Sequence, residues 1–222
     1  MTRRELLASA AALTAAPRTA MKMELDCGSI GVKAAPPEAV AYAARYGFEA
    51  VSADAGWLAR APGPERESLI EQMREANLVW GHAGLPVEFR RGEEEFQKGL
   101  RELPERARAL QSAGASRVTT WLSPTSDELT YLENFRLHVR RLRQVATILA
   151  DHGCRLGLEY VGPKTSWTAR RFPFIHTLRE ARELIAEIGQ PNVGLVLDCW
   201  HWYTAGETAA DLRTLRAADI IS

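Results

Sequence analysis

From Met21 onward, short apolar runs alternate with longer stretches in which apolar residues recur every three or four positions. The short runs predict strands over 23–30, 48–53, 78–83, 117–122, 155–160, 193–198 and 219–221. The longer stretches predict helices between them. One covers 37–45 and places Pro37 in its first turn, where a missing N–H costs nothing. Another covers 132–150. A third runs from 177 to 188 and opens on Thr177-Leu-Arg-Glu180, the spacing of a capping box. Gly47, Gly114, Gly153 and Gly189 each close a helical run just before a strand, as expected of residues that enter the left-handed region freely.

A strand, a helix and a glycine stop, repeated along the chain, predict a parallel α/β domain over residues 21–222. A doubly wound nucleotide-binding sheet carries a glycine-rich phosphate loop after its first strand. Here that strand runs into Asp26-Cys-Gly-Ser-Ile-Gly31, which has no such loop. Polar residues instead collect where strands end: Asp54, His82, Glu159, Asp198 and His201. A ring of functional strand ends on one face is the arrangement of a (β/α)8 TIM barrel. Seven strands are counted, so the barrel is expected to be incomplete, lacking the rest of its seventh strand and all of its eighth.

Two strands carry the chemistry. In 155–160, Gly157 and Glu159 share a face opposite Leu156, Leu158 and Tyr160; in 193–198, Gly194, Val196 and Asp198 share a face opposite Leu195 and Leu197. The small residues fit a narrow barrel interior, and the acids then project into its mouth. A carboxylate there is costly without a partner. Two of them, with His201 in the loop beyond Asp198, suit one divalent ion such as Mn²⁺, Co²⁺, Mg²⁺ or Zn²⁺.

Charge narrows the partners. The chain carries 28 basic and 28 acidic residues. Neither nucleic acid nor an anionic membrane surface is favoured by that balance. Cys27, Cys154 and Cys199 are too scattered for a zinc cage and are expected to be small buried hydrophobes. Residues 1–20 stand apart: Arg3-Arg4 precedes an alanine-rich apolar stretch too short to span a bilayer. They read as a twin-arginine-type signal peptide, which predicts a periplasmic or exported protein; without it the protein is cytoplasmic.

Leu158-Glu159, Leu197-Asp198-Cys-Trp-His201 and the alternating element order give the chain its resemblance. It resembles the xylose-isomerase-like superfamily of TIM barrels, in particular the sugar phosphate isomerase/epimerase group. The stretch Leu158-Glu-Tyr-Val-Gly-Pro-Lys164, together with the leader, is similar to secreted bacterial members. The resemblance implies one divalent metal held by Glu159 and Asp198, with a further His and Glu from the last two strands. It implies that His201 contacts substrate, and that Glu159 is the general base in a proton transfer beside a carbonyl, through an ene-diol(ate).

His82, Lys164 and Trp121 are further candidates for binding a small sugar-like substrate. Arg170 joins Lys164 as a candidate grip on an acidic group, and Trp57, Trp167 and Trp200 are further stacking surfaces. His138 and His152, on or after the long helix, are expected at the surface. A metal-free carbohydrate-binding barrel is the alternative from another class. A zinc phosphodiesterase of the apurinic-endonuclease type is disfavoured, because Val118-Thr-Thr-Trp-Leu-Ser123 supplies no histidine. Homo-oligomerisation is left open.

Overall fold

The computed structural model describes residues 21–222, so the leader lies outside the described residues. Six parallel strands form one curved sheet in the order β1 (Glu24–Leu25), β2 (Ala50–Ala53), β3 (Val79–Gly84), β4 (Arg117–Trp121), β6 (Arg155–Glu159) and β8 (Val193–Leu195). Two short strands, β5 (Thr125–Ser126) and β7 (Phe172–Pro173), pair antiparallel as a ribbon outside that sheet. The order follows the chain, as an incomplete (β/α)8 barrel requires.

Helices cover the outside: α1 (Pro36–Arg45), α2 (Ala55–Arg60), α3 (Gly63–Glu75), α4 (Glu93–Ala113), α5 (Tyr131–Asp151), α6 (Lys164–Trp167), α7 (Leu178–Ile188), α8 (Cys199–Thr204) and α9 (Ala209–Leu212). The expected capping box opens α7, with Thr177 Oγ1 accepting from Glu180 N and Glu180 Oε2 accepting from Thr177 N. Gly47, Gly114, Gly153 and Gly189 all lie at φ between 65° and 80°.

The two faces of β6 divide as their alternation predicts. Leu156, Leu158 and Tyr160 are fully buried against the helix layer, where Leu142, Val145 and Leu149 of α5 and Leu184 and Ile188 of α7 meet them. Gly157 faces inward; a Cβ there would stand 2.9 Å from Val196 Cγ2 and 3.0 Å from Ile221 Cβ. Gly194 is tighter, at 2.6 Å from the Asp219 carbonyl oxygen. Truncating a buried leucine of the outward face costs about 2–5 kcal/mol.

Three expected strands are at most half the length of their apolar runs, and the sixth ends at Leu195, three residues before Asp198. The first stops at Leu25 because Asp26 folds the chain back, accepting from Gly28 N at 3.0 Å and Ser29 Oγ at 2.7 Å. The seventh is a single parallel bridge between Leu195 and Ile220, preceded by a 3-10 turn at Ala217–Asp219. Asp219 accepts from Arg216 N at 2.9 Å and holds that turn closed.

Two surface expectations are corrected. His138 is 2% exposed, because α5 turns it inward between Phe89 and Phe174, at 5.3 Å and 4.8 Å between ring centroids. Cys199 is exposed at the start of α8, whereas Cys27 and Cys154 are buried. No helix among the described residues is long and apolar enough to cross a membrane.

Candidate active site

Glu159 ends β6, and its carboxylate enters the barrel mouth half-buried. Asp198 follows β8 and is the N-cap of α8, where Oδ1 accepts from Trp200 N at 2.7 Å and His201 N at 3.0 Å. This cap fixes the carboxylate and starts the helix in one stroke. His201 therefore sits in the first turn of a short helix rather than in a loop. Gly162 lets the preceding loop press onto that helix; a Cβ there would lie 2.1 Å from the His201 carbonyl oxygen.

Ligand atoms of Glu159, Asp198 and His201 all lie within 4.8 Å of one another. Among the described residues this is the one such group of three or more His, Cys, Asp or Glu side chains. His201 Nδ1 is buried with no hydrogen-bond partner. Two carboxylates with an imidazole beside them fit a divalent ion of the Mn²⁺, Co²⁺, Mg²⁺ or Zn²⁺ type. Burial holds the Glu159 carboxyl above the usual range, with a smaller push from Asp198, while His201 and His82 work against the rise. Arg155, on the same strand, donates to the Ala218 carbonyl oxygen, away from Glu159.

His82 reaches the mouth through an irregularity. Ala50, Val51 and Ala53 of β2 pair with Val79, Trp80 and Ala83 of β3, so β3 carries one extra residue. Gly81 and His82 consequently both face inward. A Cβ on Gly81 would overlap Glu24. Glu24 Oε1 lies 2.9 Å from His82 Nδ1 and accepts from His82 N at 2.9 Å, and Asp26 Oδ2 lies 3.9 Å from His82 Nε2. The hydrogen bond to Glu24 raises the His82 pKa, and Asp26 and Glu159 add to the rise against the cost of burial.

Of the remaining candidates, Trp121 stands beside the centre, since its Cα partner across the ladder is Glu159. It is 48% exposed. Lys164 is exposed at the start of α6 and is not gathered into the cluster. Arg170 pairs with Asp127 at 3.0 Å. Trp57 packs into the helix layer, Trp167 stacks on His176 at 4.6 Å, and Trp200 is exposed.

Sequence reasoning missed Glu24, Asp26 and Glu207. Tyr160 Oη donates to Glu207 Oε2 at 2.6 Å, while the other oxygen of Glu207 accepts from Leu178 N. That strap ties the end of β6 to the start of α7 and to the turn after α8. Burial pushes the Tyr160 phenol well up, and the bond to Glu207 adds to it. The one available signal for Glu24 was an acid within the first apolar run.

Known proteins share this architecture. An inosose isomerase from Halalkalibacterium halodurans is 29% identical over 89 residues, covering 40% of this chain and 29% of that protein. The chain thus aligns with under a third of that relative's length. The structure of a xylose isomerase domain protein from Alicyclobacillus acidocaldarius subsp. acidocaldarius is 35% identical, covers 85% of this chain and 67% of that chain, and superposes with a TM-score of 0.75. The IolI protein with a bound zinc atom is 18% identical, covers 90% and 71% of the two chains, and gives a TM-score of 0.72, a likeness of fold. Residues 40–221 match the family described as xylose isomerase-like TIM barrel, and the chain belongs to that family.

Proposed function

We propose that this protein is a divalent-metal-dependent isomerase or epimerase of a sugar or related hydroxy-ketone, acting by proton transfer beside a carbonyl. The observation that carries the reading is the meeting of Glu159, Asp198 and His201 within 4.8 Å at neighbouring strand ends. Its support among known proteins is the similarity to an inosose isomerase and to a fold that binds zinc in IolI.

Glu159 and Asp198 would hold the ion, which when bound supplies Lewis-acid stabilisation of charge developing on a carbonyl oxygen. Glu159 takes the proton from the adjacent carbon. Its raised pKa makes it a stronger base than an ordinary carboxylate. Asp198 commits Oδ1 to its cap, which fixes the direction of Oδ2. His201 Nδ1, without a protein partner, is free to hold a substrate hydroxyl. His82, whose protonation the hydrogen bond to Glu24 favours, lies in the mouth where an ene-diolate oxygen develops. Trp121, opposite Glu159 on the neighbouring strand, forms a wall of the mouth.

The test is metal content and Mn²⁺ affinity of the protein beside Glu159→Gln and Asp198→Asn, with exchange of ketose C–H protons into D₂O followed by NMR. One bound ion, weakened in both variants, and exchange lost in Glu159→Gln support the reading. No metal in the wild type, or binding indifferent to both substitutions, overturns it.

A further inference from the structure

We propose that a crevice beside the barrel mouth seats a second, uncharged sugar unit, so that the substrate is a glycoside rather than a free monosaccharide. The inference deepens the sugar reading above and rests on it. The crevice holds about 620 Å³ between the loop after β3, the segment around β5 and helix α5. That is within the range of about 300–1,000 Å³ over which proteins enclose small ligands.

Trp121 is the wall shared with the site, because it faces Glu159 across the β4–β6 ladder. The Arg90 guanidinium carbon lies 4.6 Å from the centre of its ring and covers one face. The residue is still 48% exposed, which leaves the opposite face for a pyranose ring.

His138, on the α5 side of the crevice, is 2% exposed. Its Nδ1 lies 2.9 Å from the Asn134 carbonyl oxygen, which only accepts, so Nδ1 carries the proton. Nε2 is left as a bare acceptor, buried and without a donor. A hydroxyl satisfies it and an anion does not.

The charges around the crevice select against an anion as well. Arg90 pairs with Glu88 at 3.3 Å and Arg170 with Asp127 at 3.0 Å. Arg91 and Glu128 also line the crevice, so its basic and acidic side chains are equal in number. A phosphate would meet as many negative groups as positive ones, whereas a neutral polyol meets an acceptor, an aromatic face and paired charges.

Calorimetric titration of the 222-residue chain with D-glucose, maltose, cellobiose, lactose and glucose 6-phosphate, in EDTA and again with Mn²⁺, tests the proposal. At least one disaccharide is expected to bind about tenfold more tightly than glucose. That ratio is expected to fall to about one in both Trp121→Ala and His138→Phe. The phenylalanine keeps the aromatic packing on Phe89 and Phe174, and a thermal melt verifies folding. Equal affinity for all the neutral sugars, a preference for glucose 6-phosphate, or an unchanged ratio in either variant overturns it. The measurement needs neither turnover nor metal. An intact ratio without C–H exchange overturns the proton-transfer reading alone, and exchange on monosaccharides with a ratio of one overturns the crevice alone.

Discussion

His82 and His138 are both withdrawn from water, and their surroundings push them in opposite directions. His82 faces Glu24 at 2.9 Å and Asp26 at 3.9 Å in the barrel mouth, and its pKa rises. His138 lies between Phe89 and Phe174, with Arg90 and Arg141 as its charged neighbours, and burial lowers its pKa to about 4. Burial opposes the charge at both, but it dominates only at the more deeply buried His138; at His82 the hydrogen bond to Glu24 outweighs it. Inward-facing strand ends gather carboxylates around an imidazole. The helix layer one step outward supplies aromatic rings and arginines, and there an imidazole stays neutral and accepts hydrogen bonds.

The sharpest break in the mouth is Glu159→Gln. It removes the proposed base while keeping the shape, so kcat is expected to fall about 10³-fold, within the range of general-base contributions. Steady-state kinetics on a ketose that exchanges its C–H proton in the wild type measure it. A loss below tenfold would assign the proton to another group.

His138 gives the next effect, and the sign follows from its lowered pKa. Below about 6.5 the unfolded chain takes a proton that the folded chain refuses until about 4. Folding stability is therefore expected to drop by about 3 kcal/mol as pH falls across that window. Urea unfolding of His138→Phe between pH 7 and pH 4 should lack that part of the acid slope. Parallel slopes in the two proteins would show that His138 does not stay neutral when folded.

Gly162→Ala tests how firmly the mouth is held from behind. The new Cβ meets the backbone of His201 and Ala205, and backbone yields less readily than a side-chain tip. Overpacking of this kind costs about 1–3 kcal/mol. A lower Tm is expected together with weaker Mn²⁺ binding, because the displaced helix carries both His201 and the cap on Asp198. A lower Tm with unchanged Mn²⁺ affinity would separate the loop from the site.

The mouth was more legible in the sequence than the layer behind it. Glu159 and Asp198 are readable because strand alternation has period two, and because glycines mark the inward face. His82 is harder, since an extra residue in β3 breaks the alternation and only pairing across the sheet reveals it. Glu24 falls in a strand of two residues, too short for any pattern. His138 looks like a surface residue because it lies in the arginine-rich run Arg136-Leu-His-Val-Arg-Arg141. Yet Arg141 is itself buried, donating to the carbonyl oxygens of Phe89 and Arg91 and to Glu93 at 2.7 Å. Those partners lie about fifty residues away, and local pattern carries no trace of them.

The smallest expected effect belongs to His82→Gln, and it completes the pair of histidines. The His82 pKa is raised on folding, so its contribution is fully present below the unfolded value near 6.5 and is lost as pH rises through the folded value. At pH 6 the substitution is expected to cost of the order of 1 kcal/mol, the worth of one charge-assisted hydrogen bond. Glu24 keeps the backbone N–H of residue 82 as a donor, which limits the loss. Above the folded pKa, the wild type and the variant should converge in stability. A gap that instead persists unchanged to pH 9 would mean that His82 contributes packing rather than charge, and the contrast with His138 would then rest on one histidine alone.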